Sequence, residues 1–239
     1  MSRASESRSE TAKLARLLGL EDRQALEFLL AVPAPELRDY REAVTDLLYD
    51  DQQELLQRAA DVSRLLPART LAAISERALG PLICARLSGL LDPRRAAEIS
   101  DHFTVDFLAR LAAELDPRRA AEVVSAIATD TVVGVSLVMA ANREHVAMGR
   151  FVAYLDEATL GRCVEALGDE DLLRMVFVTE GDERLTLVFE IIGAERAARM
   201  LAAAHESGLV EEAEHLVGRL DAVGTGAAAS RRPHRKRSE

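Results

Sequence analysis

One nine-residue phrase is written twice along this chain. Leu91-Asp92-Pro93-Arg94-Arg95-Ala96-Ala97-Glu98-Ile99 returns 24 residues later as Leu115-Asp116-Pro117-Arg118-Arg119-Ala120-Ala121-Glu122-Val123. An internal repeat at this spacing restricts the fold to architectures in which one small unit stacks on the next. Each copy reads as a helix start. Asp92 and Asp116 stand at the N-cap, where a carboxylate accepts orphan backbone N–H groups. Pro93 and Pro117 suit the first helical position, where no N–H is needed. Ala97 and Ala121 allow close helix approach, and Ile99 and Val123 point to a core. Weaker echoes begin at Leu66-Pro67-Ala68-Arg69, its proline offset by 26, and at Leu155-Asp156-Glu157.

A period near 24 holds two helices of about ten residues and two tight turns. Such a helix is only about 15 Å long and marginal alone in water, so it must lie against neighbours. The partner helix of the first unit shows how, with Val105, Leu108, Leu111, Ala112 and Leu115 on one face at helical spacing. Composition agrees: 49% of residues are hydrophobic, only 4% are aromatic and Trp is absent, with Ala and Leu, both strong helix formers, dominating. The expectation is an all-α chain, a solenoid or compact superhelix of short antiparallel helices. Further helix starts are expected near Asp130, Asn142, Asp156, Asp169, Gly181, Gly193 and Ser207, and longer helices from Glu21, Pro35 and Asp50. Residues 1–10, rich in Ser and charge, are expected to be disordered. Residues 11–64 read as an N-terminal helical cap, 65–220 as the repeat domain and 221–239 as a flexible basic tail.

The Leu-Asp-Pro-Arg-Arg-Ala-Ala-Glu-Ile/Val units resemble the N-terminal cytosolic domain of MgtE-type magnesium transporters, and the short-helix repeats are similar to those of the flagellar motor switch protein FliG. The likeness covers about 65–220 and is strongest over 90–167. It implies a right-handed superhelix. In the transporters this domain helps to sense magnesium together with cystathionine-synthase-type domains and a membrane channel. Neither of those parts is read along this chain, so transport is not implied.

Charge narrows the partners. The formal net charge is −10; from Asp221 onward five basic residues face two acids, a net of +3, which leaves −13 on the body. An acidic body repels phosphate, which argues against specific nucleic-acid binding. The tail residues Arg231, Arg232, Arg235, Lys236 and Arg237 offer weak contact with anionic lipid or nucleic acid, or fold back on the acidic body. The two lysines are Lys13 and Lys236. Without Gly-Lys-Ser/Thr there is no P-loop, and both lysines lie near the chain ends, which speaks against a buried Schiff-base lysine. Cys84 and Cys163 read as small core residues of a reducing compartment. No secretory signal and no membrane-length apolar run is read, so a cytoplasmic location is expected.

Acidic clusters are the candidate metal ligands: Asp156 and Glu157; Asp169, Glu170 and Asp171; and Glu180, Asp182 and Glu183. Carboxylates suit Mg²⁺, although each cluster falls at a helix start, where acids also stabilise the dipole. No other cofactor is expected. His102, His145, His205, His215 and His234 form no zinc or general-base motif. The pairs Arg94-Arg95 and Arg118-Arg119 recur one unit apart, forming a candidate ridge for an acidic partner or salt bridges to Glu98 and Glu122. The expected function is a non-enzymatic scaffold or adaptor that binds a protein partner; the alternative is divalent-cation sensing.

Overall fold

The computed structural model describes residues 3–20, 23–50, 53–206, 208–210, 213–214 and 216–218. Every regular element among them is helical. In chain order these are α1 (Arg3–Leu17), a 3-10 segment (Arg23–Ala31), α2 (Ala34–Asp50), α3 (Gln53–Ser63) and α4 (Ala68–Ile74), which runs through a π turn (Ser75–Leu79) into α5 (Gly80–Ser88). Then come α6 (Pro93–Ser100), α7 (Val105–Glu114), α8 (Pro117–Ala126), α9 (Thr129–Ala141), α10 (His145–Phe151), a 3-10 turn (Val152–Tyr154), α11 (Glu157–Ala166), α12 (Asp169–Phe177), α13 (Asp182–Ile192) and α14 (Ala194–Glu206). No helix among the described residues is long and apolar enough to cross a membrane.

The repeated phrase opens two equivalent helices. Pro93 and Pro117 are the first residues of α6 and α8. The Asp92 carboxylate accepts from the Arg94 and Arg95 N–H groups at 3.1 and 3.2 Å, and that of Asp116 from the Arg118 N–H at 3.2 Å. Asp156 keeps this role without a proline, accepting from the Thr159 N–H at 2.9 Å to start α11. Pro67 sits one position earlier than its counterparts, at the cap of α4. Gly193, at φ 75°, ends α13 in the left-handed conformation that glycine adopts without steric cost.

Packing skips one helix at each step. α3 lies on α5, α5 on α7, α7 on α9, α9 on α11 and α11 on α13; in a second row α4 lies on α6, α6 on α8, α10 on α12 and α12 on α14. The core runs between the rows as successive clusters, with Ala68, Ala72 and Ile99 at one end, Cys84, Phe107, Leu111 and Val124 next, and Leu160, Leu172, Leu185 and Val188 beyond. Within the units it is Ala96 and Ala120, not Ala97 and Ala121, that are fully buried, beside Ile99 and Val123. Val105 remains exposed, whereas Phe107 is among the largest fully buried side chains.

The N-terminal quarter departs from expectation. Residues 3–10 are not disordered; they form the first half of α1, with Ser7, Ser9 and Glu10 buried. The physical reason is tertiary: Ser7 donates to the Val32 carbonyl at 2.7 Å and Glu10 meets Arg41 of α2 at 3.3 Å. α1, the 3-10 segment and α2 pack on each other around a small core of Leu14, Ala15 and Leu26, while α3 joins the row of α5. The basic tail and the helix start near Ser207 lie outside the described residues.

Candidate functional site

The α1–α2 unit buries a small apolar set, Leu14, Ala15 and Leu26 with Ala34 and Leu37, worth about 1.5–3 kcal/mol for each large one. A polar seam joins it to the rest of the array. Lys13 Nζ donates to Glu10 Oε1 at 2.9 Å and to Glu180 Oε1 at 3.0 Å. Arg41 donates through Nη2 to Glu180 at 2.9 Å and through Nε to Glu10 Oε2 at 3.3 Å. Burial works to raise the Glu180 pKa, but the charges of Lys13 and Arg41 outweigh it and hold the carboxyl below its ordinary range. Lys13 is therefore buried as an ion-pair partner shared between two carboxylates. Arg16 extends the seam, bonding to Glu144 Oε2 at 3.0 Å and to the Ala113 carbonyl at 3.2 Å.

The second node is Asp116, 2% exposed. While capping α8 it also pairs with Arg118 at 3.0 Å and Arg150 at 3.5 Å. Arg118 reaches on to Glu42 at 3.1 Å and Asp46 at 3.3 Å on α2, and Arg119 to Asp46 at 3.0 Å. The hydrogen bond from Arg119, foremost, depresses the Asp46 pKa. The second arginine pair thus fastens α2 to the array and is no free ridge; the expected partner Glu122 gives way to acids from another helix. In the first pair, Arg95 bonds to Glu98 at 2.6 Å and to the Leu66 carbonyl, while Arg94 is exposed.

The acidic clusters are dispersed. Asp169 pairs with Arg196 at 2.7 Å, Glu170 with Arg174 at 2.9 Å and Asp171 with His145 at 2.7 Å. Glu157, Asp182 and Glu183 are exposed in the first turns of α11 and α13, while Glu180 faces Lys13 and Asp156 is a cap. Among the described residues, no group of three or more His, Cys, Asp or Glu is placed to hold a metal ion. His102 is exposed; His215, His234 and the side chain of His205 fall outside the described residues, as do Arg231, Arg232, Arg235, Lys236 and Arg237.

Two features went unnoticed in the sequence. The first is α2. Its inward face carries Leu37, Arg41 and Thr45, while Tyr40 (57% exposed), Ala43 and Leu47 (71%) form a stripe in solvent. The second is a part-open cavity of about 210 Å³ between the helix rows, lined from Ala59 on α3 to Met175 on α12 with no charged side chain among the described residues. Cys84 and Cys163 both line it, and burial pushes both thiols up. Sealed and dry, such a void would cost up to about 5 kcal/mol at ~24 cal/mol/Å³, a large share of a typical domain's stability. The signal for it was present: small residues cannot fill the space between rows, and the chain has few aromatics with which to do so.

No family model, curated protein or solved structure matches the chain.

Proposed function

We propose that this chain is a non-enzymatic helical-repeat scaffold or adaptor that receives a protein partner on the outward face of α2. The observation that carries it is the inversion of that helix. α2 turns Arg41 and Thr45 inward and leaves Tyr40, Ala43 and Leu47 in water. Apolar side chains at i, i+3 and i+7 are the spacing by which one helix recognises another or a groove. The exposed acids Glu36 and Asp39 flank the stripe, so the partner presents an apolar strip with a basic rim. The two rows of short helices serve as the rigid support. In this reading they wind as a right-handed superhelix, as the likeness of the 91–99 and 115–123 units implies, and the seam fixes α2 against it.

The test is substitution at positions where folding is indifferent. Tyr40→Arg and Leu47→Arg are exposed, so each should leave the melting temperature within about 2 °C of the parent. A stoichiometric partner captured by the full chain from native lysate should be lost from both variants. Equal capture by parent and variants would refute this role for α2.

A further inference from the structure

We propose that the cavity between the two helix rows is a binding site for a single unbranched hydrocarbon chain, the acyl chain of a fatty acid or lipid. Shape argues for this first. The lining runs through α3, α5, α7, α9 and α11 along one row. With helix axes 8–10 Å apart, four steps amount to roughly 30–40 Å. About 210 Å³ bordered by so long a lining is a narrow space, which suits a thin chain better than a fused-ring ligand. The volume suffices for the terminal part of such a chain, about eight carbons on the scale of an apolar cavity of about 150 Å³ that takes up the six carbons of benzene.

The chemistry of the wall points the same way. The lining consists of aliphatic, Phe, Met, Cys and hydroxyl side chains. Four of the six hydroxyls are turned back onto their own helices: Ser63 donates to Ala60 O at 2.6 Å, Ser88 to Ala85 O at 2.8 Å, Ser100 to Ala96 O at 2.8 Å and Ser136 to Val133 O at 2.8 Å; the other two are Ser75 and Thr131. A wall with so few polar groups left over favours an apolar ligand. With no charge inside, the carboxylate or headgroup stays at the solvent end.

α9 supplies an independent observation. It reads Thr-Asp-Thr-Val-Val-Gly-Val-Ser-Leu-Val-Met-Ala-Ala, apolar on nearly every side, and such helices are ordinarily enclosed. Yet only Met139 and Ala140 are fully buried, while Val132 and Val135, which face the cavity, are only half-buried. A chain lying in the cavity completes their burial. The α2 stripe and the cavity lining share no residue, so either reading can fail alone.

The two cysteines make the test internal to the full chain. Cys84 on α5 and Cys163 on α11 line the same cavity. Oleate, added below its micelle concentration, should slow methanethiosulfonate modification of both thiols at least tenfold. At a hundredfold excess over Kd it should raise the melting temperature by about 5–10 °C. Protection of one thiol only, or of neither, overturns the proposal. Val135→Phe and Ala112→Phe narrow the cavity from α9 and α7 and should weaken oleate binding tenfold or more without lowering the melting temperature. Undiminished binding by a folded narrowed variant overturns it as well. Incubation with phosphatidylcholine vesicles, followed by mass spectrometry of the re-isolated protein, separates the sources. A co-purifying intact lipid assigns the chain to a lipid; its absence beside oleate binding assigns it to a free fatty acid.

Discussion

Asp92 and Asp116 occupy the same place in the repeat and differ in everything beyond it, which makes them a matched pair for measuring what the seam contributes. Both cap a helix whose first residue is proline. Asp92 is exposed and does nothing more than cap among the contacts described, so Asp92→Ala should cost about 1 kcal/mol. Asp116, with a side chain 1% exposed, is in addition the carboxylate on which Arg118, Arg119 and Arg150 converge. Breaking a fully buried pair costs about 3–5 kcal/mol. Arg118 and Arg119 are 33% and 36% exposed, so water recovers part of the loss and about 3 kcal/mol is the better figure. For a domain of this size each kcal/mol lowers the melting temperature by about 2–4 °C. Asp92→Ala should therefore lower it by about 2–4 °C and Asp116→Ala by about 6–12 °C. Asparagine separates the two roles, because it caps as well as aspartate but carries no charge. Asp92→Asn should be nearly silent, whereas Asp116→Asn keeps most of its penalty. The assay is thermal unfolding followed by circular dichroism at pH 7. Equal losses for the two alanine variants would refute the reasoning, since they would show that Asp116 works only as a cap.

Gly149 faces α12 so closely that an added Cβ would stand 2.5 Å from Val178 Cγ2 and 2.7 Å from the Met175 carbonyl oxygen; Gly149→Ala should destabilise by about 1–3 kcal/mol in chemical denaturation. Gly161, inside α11 with nothing within 4 Å of that position, should do the reverse on Gly161→Ala, gaining about 0.5–1 kcal/mol. Glu180 has a folded pKa below its unfolded one, so its contribution is present above about pH 4.3 and is lost as pH falls through the folded value; Glu180→Gln should flatten that acid limb of the stability profile and lower stability at pH 7. Because Asp169 and Asp171 are held by Arg196 and His145, saturating Mg²⁺ should leave the melting temperature within 1 °C, and a rise of several degrees would show that the cluster loads an ion.

What could be read in the sequence was what is local. Asp92-Pro93 and Asp116-Pro117 are complete helix starts in themselves, and the starts expected near Asp130, Asp156, Asp169, Gly181 and Gly193 fall within two residues of α9, α11, α12, α13 and α14. What composition misjudged was non-local. Glu10 looks like part of a solvated, disordered start until Arg41 is brought against it, as Glu180 is against Lys13, and no short window along the chain contains both sides of those contacts. Glu180 and Arg118, candidates for metal and for partner contact, likewise each pair with residues of the N-terminal quarter that no short window around them contains. The cavity was hidden for a different reason: patterning tells which faces turn inward, not whether the side chains there fill the space between them.

The contact between Lys13 and Glu180 spans 167 positions, and that span sets an order of events during synthesis. At 5–20 residues per second the ribosome takes roughly 10–30 s to deliver the second residue after the first. Throughout that interval Lys13 has Glu10 but not Glu180 to pair with, while the segment's other anchors, Arg118 for Glu42 and Asp46 and Glu144 for Arg16, are made earlier. The stacked helices can consolidate behind it one after another from contacts that are near in sequence. The attachment of α1 and α2 is thus completed in steps as the chain lengthens, first at Arg118 and Arg119, then at Glu144 and last at Glu180.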